Sequence, residues 1–366
     1  MALSQVQLER LGTSVTDKIG ERKNLIINGA MQVAQRGNVS SVTDGYGGAD
    51  RFKFNRSGAA VVTLRQQGVG NSPTDQGFGF CQQIDVTTAD SSLAAGDYAL
   101  ISYRFEGQDL QQLKKGTANA QQVTLSFYIK SPKTGTHIVE LVDQSNSARH
   151  VNKAYTVSSA NTWEKKTVTF PMETSNTITN DNARRMDLNW WLAAGSTYSS
   201  GSLQTSWGAD TDANRAVGQV NCMDSTDNNI FITGVQLELG TVATDFEHRS
   251  FAQELALCKR YYQQYPEIAS DGYSAYGLGA AQSTTSAHFT PTFPTMRAAP
   301  TIALSGNNRF TSGGTARSVT SLTLFHTSAS SLFTGVNVAS GLTVGHAGSF
   351  GADNDVTAKL TFSAEL

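Results

Sequence analysis

The chain has 366 residues, of which 16% are charged, with 28 Lys and Arg against 30 Asp and Glu and a formal net charge of −2. Such a balance lacks the basic face that holds nucleic acid or an anionic membrane surface, so neither is expected as a partner and what the chain binds should be close to neutral. The 33 glycines and the scarcity of helix-forming runs suit short strands joined by tight turns, which predicts a mainly β protein with room for two domains.

Residues 1–23 are polar, with Leu3, Val6, Leu8, Leu11, Val15 and Ile19 spaced at twos, threes and fours. So short an arm cannot bury these side chains by itself, and it is expected to be disordered or docked on another chain. No basic stretch followed by an apolar core opens the sequence, and no run approaches about eighteen apolar residues, so neither a secretion signal nor membrane insertion is expected.

Over residues 24–249 short alternating or apolar segments recur, among them RFKFN, YALISYRFEG, QVTLSFYIKS, THIVELVD and MDLNWWLAAG, separated by Gly, Asn, Asp, Ser or Pro. So many antiparallel strands in one flat sheet would leave a face bare. A two-sheet jelly-roll sandwich is therefore predicted. No period of about twenty to fifty residues recurs, which disfavours a β-helix or propeller.

The segment from Ile230 to Leu239 reads as a half-buried strand, with Phe231, Val235, Leu237 and Leu239 on one parity and Gln236 and Glu238 on the other. Gly240 permits a break. Ser250 and Gln253 then form a capping-box signature ahead of a helix that runs to Tyr265 and is closed by Pro266. Phe251, Leu255, Cys258 and Tyr262 make its apolar stripe, which three copies laid side by side could bury as an oligomer interface. Residues 250–266 thus read as a linking helix, and 267–366 as a second, smaller C-terminal β-sandwich. This last stretch is poor in charge, which suits packing against copies of itself.

The search for reactive groups is mostly negative. The sequence holds no GxSxG, HExxH, GxxxxGK[ST] or GxGxxG motif, so no enzyme activity and no cofactor are expected. Cys81, Cys222 and Cys258 are too widely spaced for a disulfide framework or a metal site and read as small buried hydrophobes. Asp97, Glu106 and Asp109 lie close together, as the paired carboxylates of a glycosidase would, but solvated turn carboxylates are far commoner. The loop from Gly208 to Asn229 has oxygen ligands suited to calcium without the regular spacing, so a plain loop is the better reading and no metal is expected. His288, His326 and His346 read as buried or turn-lining residues. Trp190 and Trp191 are adjacent in a strand and must point to opposite faces, so one outward indole is expected as a stacking platform for a sugar ring, with Tyr273 and Tyr276 as further platforms.

Three stretches carry a resemblance: LERLGTSVTDKIGERKNLIINGAMQVAQRG followed by DRF, FITGVQLELGTVATDFEHRSFAQELALCKRYYQ, and FPTMRAAPTIAL at 293–304. In these the chain resembles bacteriophage tail fibre and related virion fibre proteins, over most of its length. The resemblance implies a homotrimer in the virion, synthesised and assembled in the host cytoplasm. It implies too that residues 1–23 attach to other virion proteins, that the middle block is a carbohydrate-binding-module-like jelly roll, and that the distal block meets the host. The expected function is then a trimeric tail fibre that binds a host cell-surface glycan during adsorption. The alternatives are a structural capsid fibre or decoration protein without glycan binding, and a capsule depolymerase.

Overall fold

The computed structural model describes residues 23–145, 148–267 and 272–366, so the expected virion-attachment arm, Lys23 apart, lies outside the described residues. The chain forms two units. The first takes the residues up to Gln32, Asn38–Gly47 and Phe52–Arg249, and the second takes Val33–Gly37, Gly48–Arg51 and Ser250–Leu366.

In the first unit the strands are β1 (Val39–Val42), β2 (Asp44–Tyr46), β3 (Phe52–Ser57), β4 (Val61–Gln67), β5 (Cys81–Thr88), β6 (Tyr98–Glu106), β7 (Val123–Lys130), β8 (Gly135–Asp143), β9 (Arg149–Val157), β10 (Glu164–Phe170), β11 (Arg184–Ala194), β12 (Gly208–Ala209) and β13 (Asn229–Leu239), with a short helix α1 (Ser196–Ser199). They form an antiparallel jelly-roll sandwich of a six-stranded sheet, β1-β4-β5-β13-β7-β10, and a seven-stranded sheet, β12-β9-β8-β11-β6-β3-β2. Alternation decides which side chains meet between the layers. Phe52, Tyr103, Phe127 and Trp190 are all nearly inaccessible there, and each such ring or aliphatic chain stabilises the fold by about 1.5–3 kcal/mol when taken out of water.

Strand β13 departs from its expected pattern. Its pairing with β7 sets Ile232 against Ile129 and Leu237 against Leu125, with the register broken between Thr233 and Gln236. This bulge, at Gly234 with φ +60°, inserts one residue and reverses the parity, so Ile230 and Ile232 join Val235 and Leu237 in the core while Phe231 faces out under the Lys130 ammonium, 4.2 Å away. Gln236 and Glu238 are also buried. The chain folds back over them, and the Thr244 amide donates to Glu238 at 2.8 Å.

The second unit contains helix α2 (Phe251–Lys259) and strands β14 (Tyr262–Tyr265), β15 (Ala275–Ala281), β16 (Ser286–Phe289), β17 (Thr301–Ser305), β18 (Asn308–Ser312), β19 (Thr315–Thr327), β20 (Leu332–Val338), β21 (Ala347–Ala352) and β22 (Lys359–Ser363). The capping box is present, with the Ser250 side chain accepting from the Gln253 amide. The helix is shorter than its apolar spacing suggested. It ends at Lys259 because the aromatic residues that follow pair with β22, Tyr262 opposite Ser363 and Tyr265 opposite Leu360. Its buried side carries Glu254 and Cys258. Cys258 and Tyr262 are filled by the unit's own packing and offer no surface to another copy, whereas Phe251 is 56% exposed and Leu255 half-buried.

In place of the second sandwich expected for residues 267–366, six of these strands close into a barrel, β15-β16-β20-β19-β18-β21, and β14-β22-β17 form a three-stranded sheet. Closure removes the free edges that a small open sheet would expose. Phe289, Phe310, Phe350 and Val336 fill the core, and Gly277 belongs to this packing, since a Cβ there would lie 2.4 Å from the Phe289 ring.

The two segments from early in the chain enter the second unit through a polar cluster. The Arg51 guanidinium is 1% exposed, stacks 3.4 Å from the centre of the Tyr261 ring and pairs with Glu365. Arg36 lies 3.6 Å over Tyr262 and 3.1 Å from Glu365. Asp50 accepts from Gln35 Nε2 at 2.7 Å, and burial pushes its carboxyl up to about 6 even though Arg36 favours the charged form.

Candidate functional site

Strand β11 shows how one sequence serves two faces. Met186, Leu188 and Trp190 point between the sheets, while Asp187, Asn189 and Trp191 point to the outer face of the seven-stranded sheet. The partner positions follow from the register: Asn189 lies opposite Ser102 of β6 and Glu140 of β8, and Asp187 lies opposite Arg104. Ser102, Arg104, Asp187 and Asn189 floor an open cleft of about 300 Å³, whose walls include Asn55, Tyr98, Tyr198 and Arg215, while Glu140 is fully buried and does not line it.

A hydrogen-bonded row crosses this floor. Asn55 Nδ2 donates to Ser102 Oγ at 3.0 Å, Ser102 Oγ to Asn189 Oδ1 at 2.7 Å, and Asn189 Nδ2 to Glu140 Oε2 at 2.9 Å. Arg215 closes the row with a two-pronged contact to Glu140, Nε to Oε1 at 2.7 Å and Nη2 to Oε2 at 2.9 Å. Burial disfavours the charge on Arg215, but the adjacent Glu140, Asp210 and Asp212 outweigh that and hold its pKa above the ordinary arginine value. Beside the row, Arg184 Nε donates to Asp187 Oδ1 at 2.7 Å and Gln144 Nε2 to Asp187 Oδ2 at 3.2 Å. Amides and paired ions of this kind present fixed donors and acceptors with little net charge.

The other end of the cleft is aromatic. Tyr198 of α1 packs 5.5 Å from both Tyr98 and Trp191, and the Arg215 guanidinium lies 5.3 Å over the Trp191 ring. The loop that carries Arg215 is tied to β9, where Asn152 Nδ2 donates to the carbonyls of Gln204 and Asn214, both at 3.2 Å. His150 Nδ1 lies 3.0 Å from Asp210 and, with Arg215, lowers that carboxyl's pKa.

Among the sequence-predicted site residues, Trp190 and Trp191 do point to opposite faces, but neither ring is exposed. Trp190, 2% exposed, packs against Phe127 at 5.8 Å in the inter-sheet core, and Trp191, 1% exposed, is roofed by Tyr198. Tyr273 and Tyr276 belong to the second unit. Tyr273 is 49% exposed with Arg309 4.7 Å over its ring, and Tyr276 is buried edge-on to Phe350. Only Trp191 of these four lines the cleft. Asp97 accepts from the Ala94 amide and Glu106 from Gln108, each within a turn and neither in the cleft. In the 208–229 loop Asp210 and Asp212 face Arg215, and Asp224 accepts from Lys133 and Asn228. Among the described residues no group of three His, Cys, Asp or Glu is placed to hold a metal, and no helix is long and apolar enough to cross a membrane. His288 packs against Phe325 and Phe333, each at 4.9 Å.

The polar row was missed from sequence, although its signal is there. Asp187 and Asn189 share parity with Trp191, as Ser102 does with Arg104, which marks the outer face of each strand as polar. Glu140 and Arg215 could not be joined to them without the register.

No protein-family model and no curated protein matches the chain. Among solved structures it is similar to the enzymatically active domain of tailspike protein 4 of bacteriophage CBA120, at 13% identity and a TM-score of 0.33 over 59% of this chain. The chain spans about a fifth of that protein, 21%. It is also similar to the family 11 carbohydrate-binding module of cellulase Lic26A-Cel5E of Clostridium thermocellum, at 12% identity and a TM-score of 0.29, covering 58% of this chain and 98% of that one. A third similarity is to the C-terminal family 22 carbohydrate-binding module of Xyn10B from the same organism, at 13% identity and a TM-score of 0.26 over 52% of this chain and 88% of that one.

Proposed function

We propose that the chain is a phage virion fibre protein whose sandwich binds a neutral host cell-surface glycan in the cleft on its seven-stranded sheet. The observation that carries the reading is the row Asn55–Ser102–Asn189–Glu140–Arg215 beside Tyr98, Trp191 and Tyr198. A sugar presents hydroxyls along its edge and C–H bonds on its face, and a groove with fixed amide and ion-pair partners next to rings matches both. The sequence resemblance supplies the virion setting: an arm at 1–23 that anchors to the tail or capsid, and a homotrimer. Three weak clefts on one trimer gain about 10²–10⁴ over a single site on a repetitive surface.

The test is adsorption of labelled protein to host cells, with purified surface polysaccharide as competitor. Asn55→Ala with Asn189→Ala should abolish adsorption while the melting transition of the sandwich persists. Because the cleft's charges are internally paired, binding should change little between low and physiological salt. Full adsorption by the double variant, or a steep loss with salt, contradicts the reading. A structural fibre would ignore the polysaccharide, and a depolymerase would release reducing ends from it.

A further inference from the structure

The bulge in β13 opens a second recess, on the outer face of the six-stranded sheet and therefore on the side of the sandwich away from the cleft. Gly234 leaves the strand without a side chain there, and a Cβ would lie 2.6 Å from the Phe78 ring and 3.0 Å from that of Tyr128. Into this space come four rings. Phe78 packs edge-on to Phe246 at 5.0 Å, 5.3 Å from Tyr128 and 5.5 Å from His248. Phe78 itself is 2% exposed, but the His248 ring is solvent-facing and Phe246 and Tyr128 are half-buried. Lys165 of β10, Ser126 of β7 and Asp245 lie around the same recess. Among the described residues the side chains of Lys165, Ser126 and Asp245 have no hydrogen-bond or ion-pair partner. The cleft differs in this respect, since Glu140 and Asp187 are already paired there.

We infer that this recess is a second, independent saccharide site that holds one neutral sugar ring. Its volume is about 240 Å³, below the roughly 300–1,000 Å³ typical of larger ligands, so it takes a single ring and not a chain. The rings offer an apolar wall to the C–H face of a pyranose. The hydroxyl edge meets an acceptor at Asp245 and donors at Lys165 and Ser126, and the two opposite charges favour a neutral partner over an ion of either sign. A bulge retained beside a recess is a common way to re-aim a strand at a site. The site uses no residue of the cleft, so each can fail without the other.

The test uses the full chain labelled in its six histidines, with the His248 resonance assigned by its loss in His248→Gln. D-glucose, D-galactose, D-mannose and L-rhamnose are titrated singly through the millimolar range. At least one is expected to shift the His248 signal saturably. Asp245→Ala with Lys165→Ala, both exposed and outside the core, should weaken that titration at least tenfold with the melting temperature unchanged. Asn189→Ala in the cleft should leave it as it was. If no sugar moves the signal, or if the shift survives the Asp245/Lys165 double variant unaltered, the rings are packing alone and the inference is overturned.

Discussion

Arg215→Ala probes the cleft at its most sensitive joint. Glu140 is fully buried and Arg215 keeps only 18% of its side-chain surface, with two bonds between them at 2.7 and 2.9 Å. Removing the guanidinium leaves a buried carboxylate with the Asn189 amide as its remaining donor across the sheet. Breaking a buried pair from one side costs about 3–5 kcal/mol, which in a domain of this size lowers the melting temperature by roughly 6–20 °C. One further variant separates this cause from lost packing over Trp191. Adding Glu140→Gln should restore part of the loss, because no charge is then buried. Scanning calorimetry of the parent, the single variant and the double variant reads this. A melting temperature for Arg215→Ala within about 2 °C of the parent, or a double variant as unstable as the single one, refutes the reasoning.

Other perturbations test other parts. Gly234→Ala places a methyl against the Phe78 ring at a φ of +60°, so it should destabilise the sandwich by about 1–3 kcal/mol in urea titration. Asp50 has its pKa raised from 3.8 to about 6, mainly by burial and with Arg36, Gln35 and Glu365 around it. Its proton is held more tightly in the folded state, so stability should fall by on the order of 3 kcal/mol as pH rises from about 4 to 6, and Asp50→Asn should flatten that window in calorimetry. For self-association, Phe251 and Leu255 are the residues of the apolar stripe with surface to spare. Light scattering should give a trimer at micromolar concentration, and Leu255→Asp should lower its mass; a parent that is monomeric removes the trimer from the proposal.

Layer architecture was readable because it rests on alternation, which the sequence carries locally. YALISYRF and MDLNWW each divide cleanly into a core parity and an outer parity, and the sandwich follows. Reading failed where a single residue changes the phase, as Gly234 does in β13, since a bulge is invisible until its partner strand is known. It failed again at Tyr262, where a helical spacing continued but pairing with β22 prevailed over it. The tryptophan pair shows a third limit. Opposite faces were correctly inferred for Trp190 and Trp191, yet outward was equated with exposed, and Tyr198, on the short helix α1 that follows the same strand, covers the outer ring. Closure of the last strands into a barrel depends on β15 finding β21, a pairing that no local pattern announces.

The membership of Val33–Gly37 and Gly48–Arg51 in the second unit bears on how such a chain can be recombined. A crossover at the boundary between Arg249 and Ser250 looks neutral on the linear map, but it would give an incoming distal part the Arg36, Asp50 and Arg51 of its new host. Arg51 meets both the Tyr261 face and the Glu365 carboxylate, so an exchanged tip without those two would bury a guanidinium that has lost the ring and the carboxylate it packs against. Viable hybrids must therefore inherit three separate pieces of sequence together, or draw the tip from a donor that keeps the same aromatic pair and acidic end.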